Sequence, residues 1–138
     1  MTTHLPLTPE VDRLRQEFER LAADADALAL PLTDEQFHQP PPDGGWAVAQ
    51  CIDHLNSAAR AYLPKLDDAI SDAIKKGLYG EGPFSYGLFA RFFIWSMEPP
   101  PKFKVKNPAV FQPGPNRSRH EITAAFRAYQ VQFVDRLR

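Results

Sequence analysis

The 138-residue sequence has a single cysteine, Cys51, and lacks the segments that direct a chain into or across a membrane. One cysteine cannot form a disulfide within the chain, so nothing indicates a disulfide-stabilised secreted protein. Residues 1–9 have neither the basic start nor the apolar run of a signal peptide. The most apolar stretch, Phe84 to Met97, contains Arg91 and is shorter than the ~20 residues that a membrane-spanning helix needs. We therefore expect a cytoplasmic protein without a membrane partner, in which this stretch is buried or faces a partner.

The sequence also lacks a Gly-rich phosphate loop, a nucleophile elbow and a paired-cysteine zinc motif. Nucleotide chemistry and triad hydrolysis are therefore unsupported. Basic residues alternate with Phe103 and Phe111 across residues 102–119, but their spacing matches no nucleic-acid-binding module. We do not expect a nucleic-acid partner.

The composition is that of an ordinary globular protein, with 43% hydrophobic and 24% charged residues, and the length suits one domain over residues 1–138. Charge is divided unevenly along the chain. Residues 1–75 hold 6 basic and 13 acidic groups, and residues 76–138 hold 10 basic and 4 acidic groups. This division predicts either a basic surface for anions or two halves of opposite sign that pack together, and we favour the second.

Apolar residues recur at intervals of three and four in three segments, which predicts an all-α protein. The first helix spans Thr8 to Ala29, because Thr8 is a good N-cap and Pro9 suits the first helical position. The second runs from Trp46 to about Gly77, with a bend at the internal proline, Pro64.

The last helix begins at a capping box formed by Ser118 and Glu121, and its periodicity continues to the final residue. Between the long helices we expect a single capped turn over residues 33–36 and a short helix from Ser85 through Met97. A proline-rich connection then runs to about Arg117, and no strand pattern survives its prolines.

His54, early in the second long helix, is the best candidate for chemistry. The core stripe of that helix centres on Val48, Leu55 and Leu66, and His54 lies at its border. Its neighbours on that flank include Ala47, Ala58 and Ala61, and the polar face beyond them holds Gln50, Asp53, Ser57 and Arg60. Small neighbours leave room for a helix, a metal or a substrate beside the imidazole. The alternative is a half-exposed surface histidine beside alanines that only favour the helix.

Three other residues bear on a metal site. Cys51 lies one turn before His54 and could share a metal with it, but zinc needs three or four ligands, and a small buried apolar role for Cys51 is the simpler interpretation. His120, in the first turn of the last helix, is expected to face solvent. His38 lies in the proline-rich loop without a partner at ligand spacing.

The stretch from Trp46 to Leu55, which reads WAVAQCIDHL, resembles the start of the second helix in the DinB-like superfamily. The preceding Leu32 to Phe37 and the Pro/Gly loop fit the same pattern. The resemblance implies a four-helix bundle with up-down-down-up topology, often dimeric, that holds a divalent metal such as zinc or nickel between its helices. It also implies that His54 is a metal ligand.

The other two ligands in that superfamily usually come from an H-x-x-x-H pair on the last bundle helix, and this sequence has no such pair. Together with the absence of a stop signal after the last helix, this predicts that the last metal-ligand helix is not in this chain, or that the chain is a metal-free relative.

Two functions follow as expectations. The first is a metal-dependent enzyme of the hydrolase or thiol-dependent transferase type, in which the ion would lower the pKa of a bound water or thiol. The substrate and the catalytic residues are not indicated. The second is a non-enzymatic helical module that buries Phe84 to Met97 and its open edge against a partner, most simply as a homodimer.

Overall fold

The computed structural model describes residues 6–103 and 106–138, and within these ranges it contains helices and no strands. The predicted all-α class is confirmed. The helices are α1 (Pro9–Ala29), α2 (Asp34–His38), α3 (Val48–Lys75), α4 (Leu88–Met97) and α5 (Arg119–Arg136), with one 3-10 turn at Ala109–Phe111.

Two of the helix starts follow directly from local sequence. Thr8 caps α1, since its hydroxyl accepts a hydrogen bond from the amide of Val11 at 3.4 Å. Ser118 and Glu121 form the predicted capping box of α5, with reciprocal side-chain to backbone bonds of 3.1 and 3.2 Å. Each cap satisfies amide groups that a helix start leaves without partners.

The start of α4 is not where the sequence predicts. The helix begins at Leu88 with Gly87 as its N-cap, whereas Ser85 was the expected cap. The backbone amide of Phe84 and the hydroxyl of Tyr86 both donate to the carboxylate of Glu10 on α1. These bonds hold the chain extended past Ser85, so the helix starts later.

The bundle is organised around α5, which packs against both α1 and α3, while α1 and α3 have few direct contacts with each other. The rings of Phe18 on α1 and Phe133 on α5 stack with centroids 4.9 Å apart. Burial of each large apolar side chain contributes about 1.5–3 kcal/mol. The core cluster consists of Ala29, Phe37, Ala49, Ile52, Ile122 and Phe126.

Ion pairs join the acidic first half of the chain to the basic second half. Asp26, Asp53 and Asp67 bind arginines 127, 117 and 136 at 2.6, 2.8 and 2.9 Å. Every acidic partner comes from residues 1–75 and every basic partner from residues 76–138. These ion pairs support the expectation that two halves of opposite sign pack together.

The buried face of α3 differs from the predicted one. Leu55, Tyr62 and Leu66 are 48%, 48% and 38% exposed, whereas Asp53 and Ser57 are buried. Part of the predicted core stripe is thus exposed and part of the predicted polar face is buried, while Gln50 and Arg60 of that polar face are exposed as predicted. The reason is that the connection before α5 lies over the polar side, where its backbone needs hydrogen-bond partners.

The segment Phe84 to Met97 is not buried, because α4 contains no buried residue and makes almost no contact with other elements. Of the two predicted alternatives for this segment, burial within the described chain is wrong, and contact with a partner stays a prediction. Among the described helices, none combines the length and the apolar character needed to cross a membrane.

Candidate functional site

His54 is half-buried and bound to the 3-10 turn. Its Nδ1 lies 2.5 Å from the backbone oxygen of Phe111. The side-chain amide of Asn107 donates to the same oxygen at 3.0 Å and lies 3.0 Å from Nδ1. A carbonyl oxygen only accepts, so Nδ1 must carry the proton and donate it. Because Nδ1 is protonated, neutral His54 keeps the lone pair on Nε2.

No hydrogen bond of His54 Nε2 occurs within the part of the chain that the structure describes. The indole of Trp46 lies beside the imidazole, with ring centroids 5.3 Å apart and planes tilted by 48°. The site therefore consists of an oriented imidazole whose second nitrogen is not used by the described residues.

Two further side chains of α3 hold the same connection. The hydroxyl of Ser57 donates to the backbone oxygen of Gln112 at 2.8 Å. The carboxylate of Asp53 accepts from the amide of Gly114 at 2.7 Å and from Arg117 Nη2 at 2.8 Å. Together with His54, these residues fix the segment 111–117 along one side of the helix.

Asp53 is the most deeply buried charge of this region, with 3% of its side chain exposed. A buried carboxylate is tolerated only where it is paired and hydrogen-bonded, and the contacts of Gly114 and Arg117 meet that need. Asn56, which is fully buried, adds a weak contact of 3.4 Å to Asp53 and donates to the backbone oxygen of Ile122 at 3.1 Å.

The sequence-based interpretation missed this network by assigning Asp53 and Ser57 to a solvent-facing surface. A signal was present, because Asp53, Asn56 and Ser57 are spaced three and four residues apart on one helix face. A glycine and an arginine, Gly114 and Arg117, follow in the proline-rich connection. The pairing between these two segments is a long-range contact that helical periodicity does not encode.

The remaining metal candidates do not gather around His54. Cys51 is exposed, so its predicted burial is wrong, since α3 turns Asp53 inward and Cys51 outward. His120 is exposed, as expected. Within residues 6–103 and 106–138, no group of three histidine, cysteine or acidic side chains could hold a metal ion.

His38 lies at the end of α2 and not in a loop. Its Nδ1 is 2.8 Å from the backbone oxygen of Asp34, and its Nε2 is 2.6 Å from that of Arg117. Both ring nitrogens are therefore engaged with the backbone. His38 is a link between α2 and the residue that precedes the cap of α5.

A cleft of about 420 Å³ opens between the end of α2, the start of α3 and the connection before α5. Trp46 lines this cleft and also contacts His54, so the cleft adjoins the candidate site. Its other polar lining residues are His38, Gln50, Asp53, Gln112 and Asn116.

The sequence profile of the DinB superfamily matches residues 17–138, which confirms the resemblance seen in the sequence. No curated protein and no solved structure matches the chain.

Proposed function

The chain belongs to the DinB superfamily, and from that premise we propose that His54 is a metal ligand, through Nε2, in a metal-dependent enzyme. One observation carries the proposal: Nδ1 of His54 donates to the backbone oxygen of Phe111. Metal-binding histidines almost always donate the other ring N–H to a carbonyl or carboxylate, which fixes the tautomer and aims the free nitrogen.

The residues that the structure describes fit one ligand of such a site and do not complete it, because no group of three ligands occurs among them. On this proposal these residues orient one nitrogen for the metal, and the remaining ligands come from outside them. The proposed activity is of the hydrolase or thiol-dependent transferase type, and zinc or nickel is the proposed metal.

Two substitutions separate a ligand role of His54 from a purely structural one. The amide nitrogen of asparagine is as many bonds from Cα as Nδ1 of histidine, so His54→Asn keeps the donor to Phe111 and removes Nε2. The amide group of glutamine lies one bond further, so His54→Gln loses the donor.

The test is to equilibrate the purified protein with Zn²⁺ or Ni²⁺, remove the excess and measure bound metal by elemental analysis. We expect the unsubstituted protein to retain metal and His54→Asn to lose it with an unchanged unfolding midpoint. Cys51→Ser serves as the control for the neighbouring thiol and should retain metal. Equal retention by His54→Asn would refute the ligand role, and no retention by the unsubstituted protein would refute a complete metal site in this chain.

A second candidate is a homodimerising module without metal, and the exposed apolar stripes favour it. On α1, Leu14, Leu21 and Leu28 recur at seven-residue intervals and are 41%, 43% and 57% exposed. On α3, Leu55, Tyr62 and Leu66 form a comparable stripe. Apolar patches of this kind mark interfaces more often than free surface.

Sedimentation velocity over a range of protein concentrations tests the module. We expect a dimer that Leu21→Glu or Leu66→Glu converts to monomer and that His54→Asn leaves intact. A protein that stays monomeric at the highest concentration would contradict the module and leave the metal proposal untouched.

A further inference from the structure

The apolar side chains of α4 are exposed to solvent. Leu88, Phe89 and Met97 are 84%, 86% and 72% exposed, and no residue of the helix is buried. At 100° per residue these three fall on the same half of the helix circumference as Phe92 and Phe93, each of which is 56% exposed. A continuous apolar face of this size indicates a binding surface.

This outward half of α4 carries no free polar side-chain group. Ser96 is the polar residue on it, and the hydroxyl of Ser96 donates to the backbone oxygen of Phe93 at 2.7 Å. This face can therefore be transferred from water to hydrocarbon without the loss of a side-chain hydrogen bond. Contact with hydrocarbon requires this, because an unpaired polar group there is costly.

Backbone oxygens at the end of α4 also have a hydrogen-bond donor within the chain. The ammonium group of Lys102 donates to the backbone oxygens of Trp95 and Glu98 at 2.9 and 2.6 Å. It lies 5.0 Å from the centroid of the Trp95 indole. A tryptophan and a lysine beside an apolar helix are typical of the boundary between lipid and water.

Positive charge is concentrated in the stretch of sequence that contains this helix. Residues 75–106 contain six basic and two acidic groups, a net charge of +4, whereas the whole chain carries −1. The remainder of the chain is therefore acidic. An anionic surface attracts this segment and repels the rest of the molecule, which orients the approach.

We propose that α4 docks on the surface of an anionic lipid bilayer, lying in the interface plane with Leu88, Phe89, Phe92 and Phe93 inserted. Ten residues of α-helix are ~15 Å long, half of the ~30 Å hydrocarbon thickness. Such a helix lies along the interface. The expectation of no membrane partner rested on the absence of a membrane-spanning helix. Binding by a helix that lies on the bilayer surface is a different mode.

Vesicle flotation tests the proposal with the full chain. Vesicles of phosphatidylcholine with phosphatidylglycerol are compared with vesicles of phosphatidylcholine alone. We expect about tenfold more protein to float with the anionic vesicles, and added NaCl to reduce that fraction, because salt screens the attraction.

The variant Phe89→Glu/Phe93→Glu should lose flotation by about tenfold or more. Val131→Glu is the matched control, since Val131 is an exposed apolar residue on α5 at 59% exposure and should float like the unsubstituted protein. Circular dichroism checks that both variants stay helical.

Three results would overturn the proposal. The first is no flotation with anionic vesicles, and the second is equal flotation with both vesicle types. The third is a dimer that the double variant dissociates while neither protein binds vesicles, which would assign α4 to a second copy of the chain.

Discussion

Arg117 binds Asp53 across 64 positions of sequence, with Nη2 of the arginine 2.8 Å from Oδ1 of the aspartate. This contact joins the buried side of α3 to the residue before the N-cap of α5. Gly114 donates to the other carboxylate oxygen, so one buried side chain organises the connection that also carries the carbonyl partner of His54.

Replacement of Asp53 by asparagine is expected to lower the free energy of unfolding by about 2–3 kcal/mol, because a partly buried arginine then loses its counter-charge. Urea unfolding followed by circular dichroism measures the change. The control is Asp67→Asn, which breaks the more exposed pair with Arg136 and should cost no more than about 1 kcal/mol. Equal effects of the two substitutions would argue against a special role for Asp53.

The hydrogen bond from His54 to Phe111 predicts different stabilities for two replacements by amide side chains. His54→Gln should lower the free energy of unfolding by about 1 kcal/mol, because the half-buried carbonyl oxygen of Phe111 loses one of its two donors and keeps only the amide of Asn107. His54→Asn should stay within a few tenths of a kcal/mol of the unsubstituted protein. The same urea titration measures both free energies of unfolding. A His54→Asn variant less stable than His54→Gln would refute the assigned tautomer.

Even the smallest side chain at Gly114 is predicted to destabilise the fold. A Cβ atom added there would lie 3.1 Å from Oδ2 of Asp53, and the paired carboxylate has little freedom to move. Gly114→Ala should lower stability by about 1 kcal/mol or more.

Gly87→Ala is the control for Gly114, since its φ is −60° and an added Cβ would meet nothing within 4 Å. Because α4 packs against almost nothing, this change should shift thermal unfolding little. A larger loss in Gly87→Ala than in Gly114→Ala would be inconsistent with the geometry.

The contact between Tyr86 and Glu10 predicts that Tyr86 ionises at a higher pH than an ordinary tyrosine. The hydrogen bond to the carboxylate of Glu10, with its negative charge, raises the pKa of Tyr86 above the ordinary tyrosine value. Because the pKa of Tyr86 is raised in the folded state, the contact stabilises the folded protein at pH values below the ordinary tyrosine pKa of about 10. This stabilisation is lost as the pH rises through the folded-state pKa.

Tyrosine ring NMR signals followed with pH measure this ionisation. Glu10→Gln should lower the pKa of Tyr86, and Glu17→Gln, elsewhere on α1, should leave it unchanged. A Tyr86 titration that is the same in the unsubstituted protein and in Glu10→Gln would rule out the contact in solution.

Much of the secondary structure follows from local sequence. Thr8 and Ser118 determine where α1 and α5 begin because a helix start needs acceptors for its free amides, and these residues supply them from within three positions. Ser85 failed as a cap because a distant residue, Glu10, holds the chain before α4.

The sequence by itself determined the helical class, the caps of α1 and α5 and the superfamily. It singled out His54 through its place at the border of an apolar stripe among small residues and through the family resemblance of the stretch from Trp46 to Leu55. Only the tertiary structure decided that Asp53 and Ser57 face inward while Leu55 and Leu66 are half-exposed. Periodicity reports which residues share a helix face, but it carries no information on which segment will cover that face. In this protein the covering segment is a proline-rich connection whose backbone groups require polar partners, and so Asp53 and Ser57 on the polar side of α3 are buried.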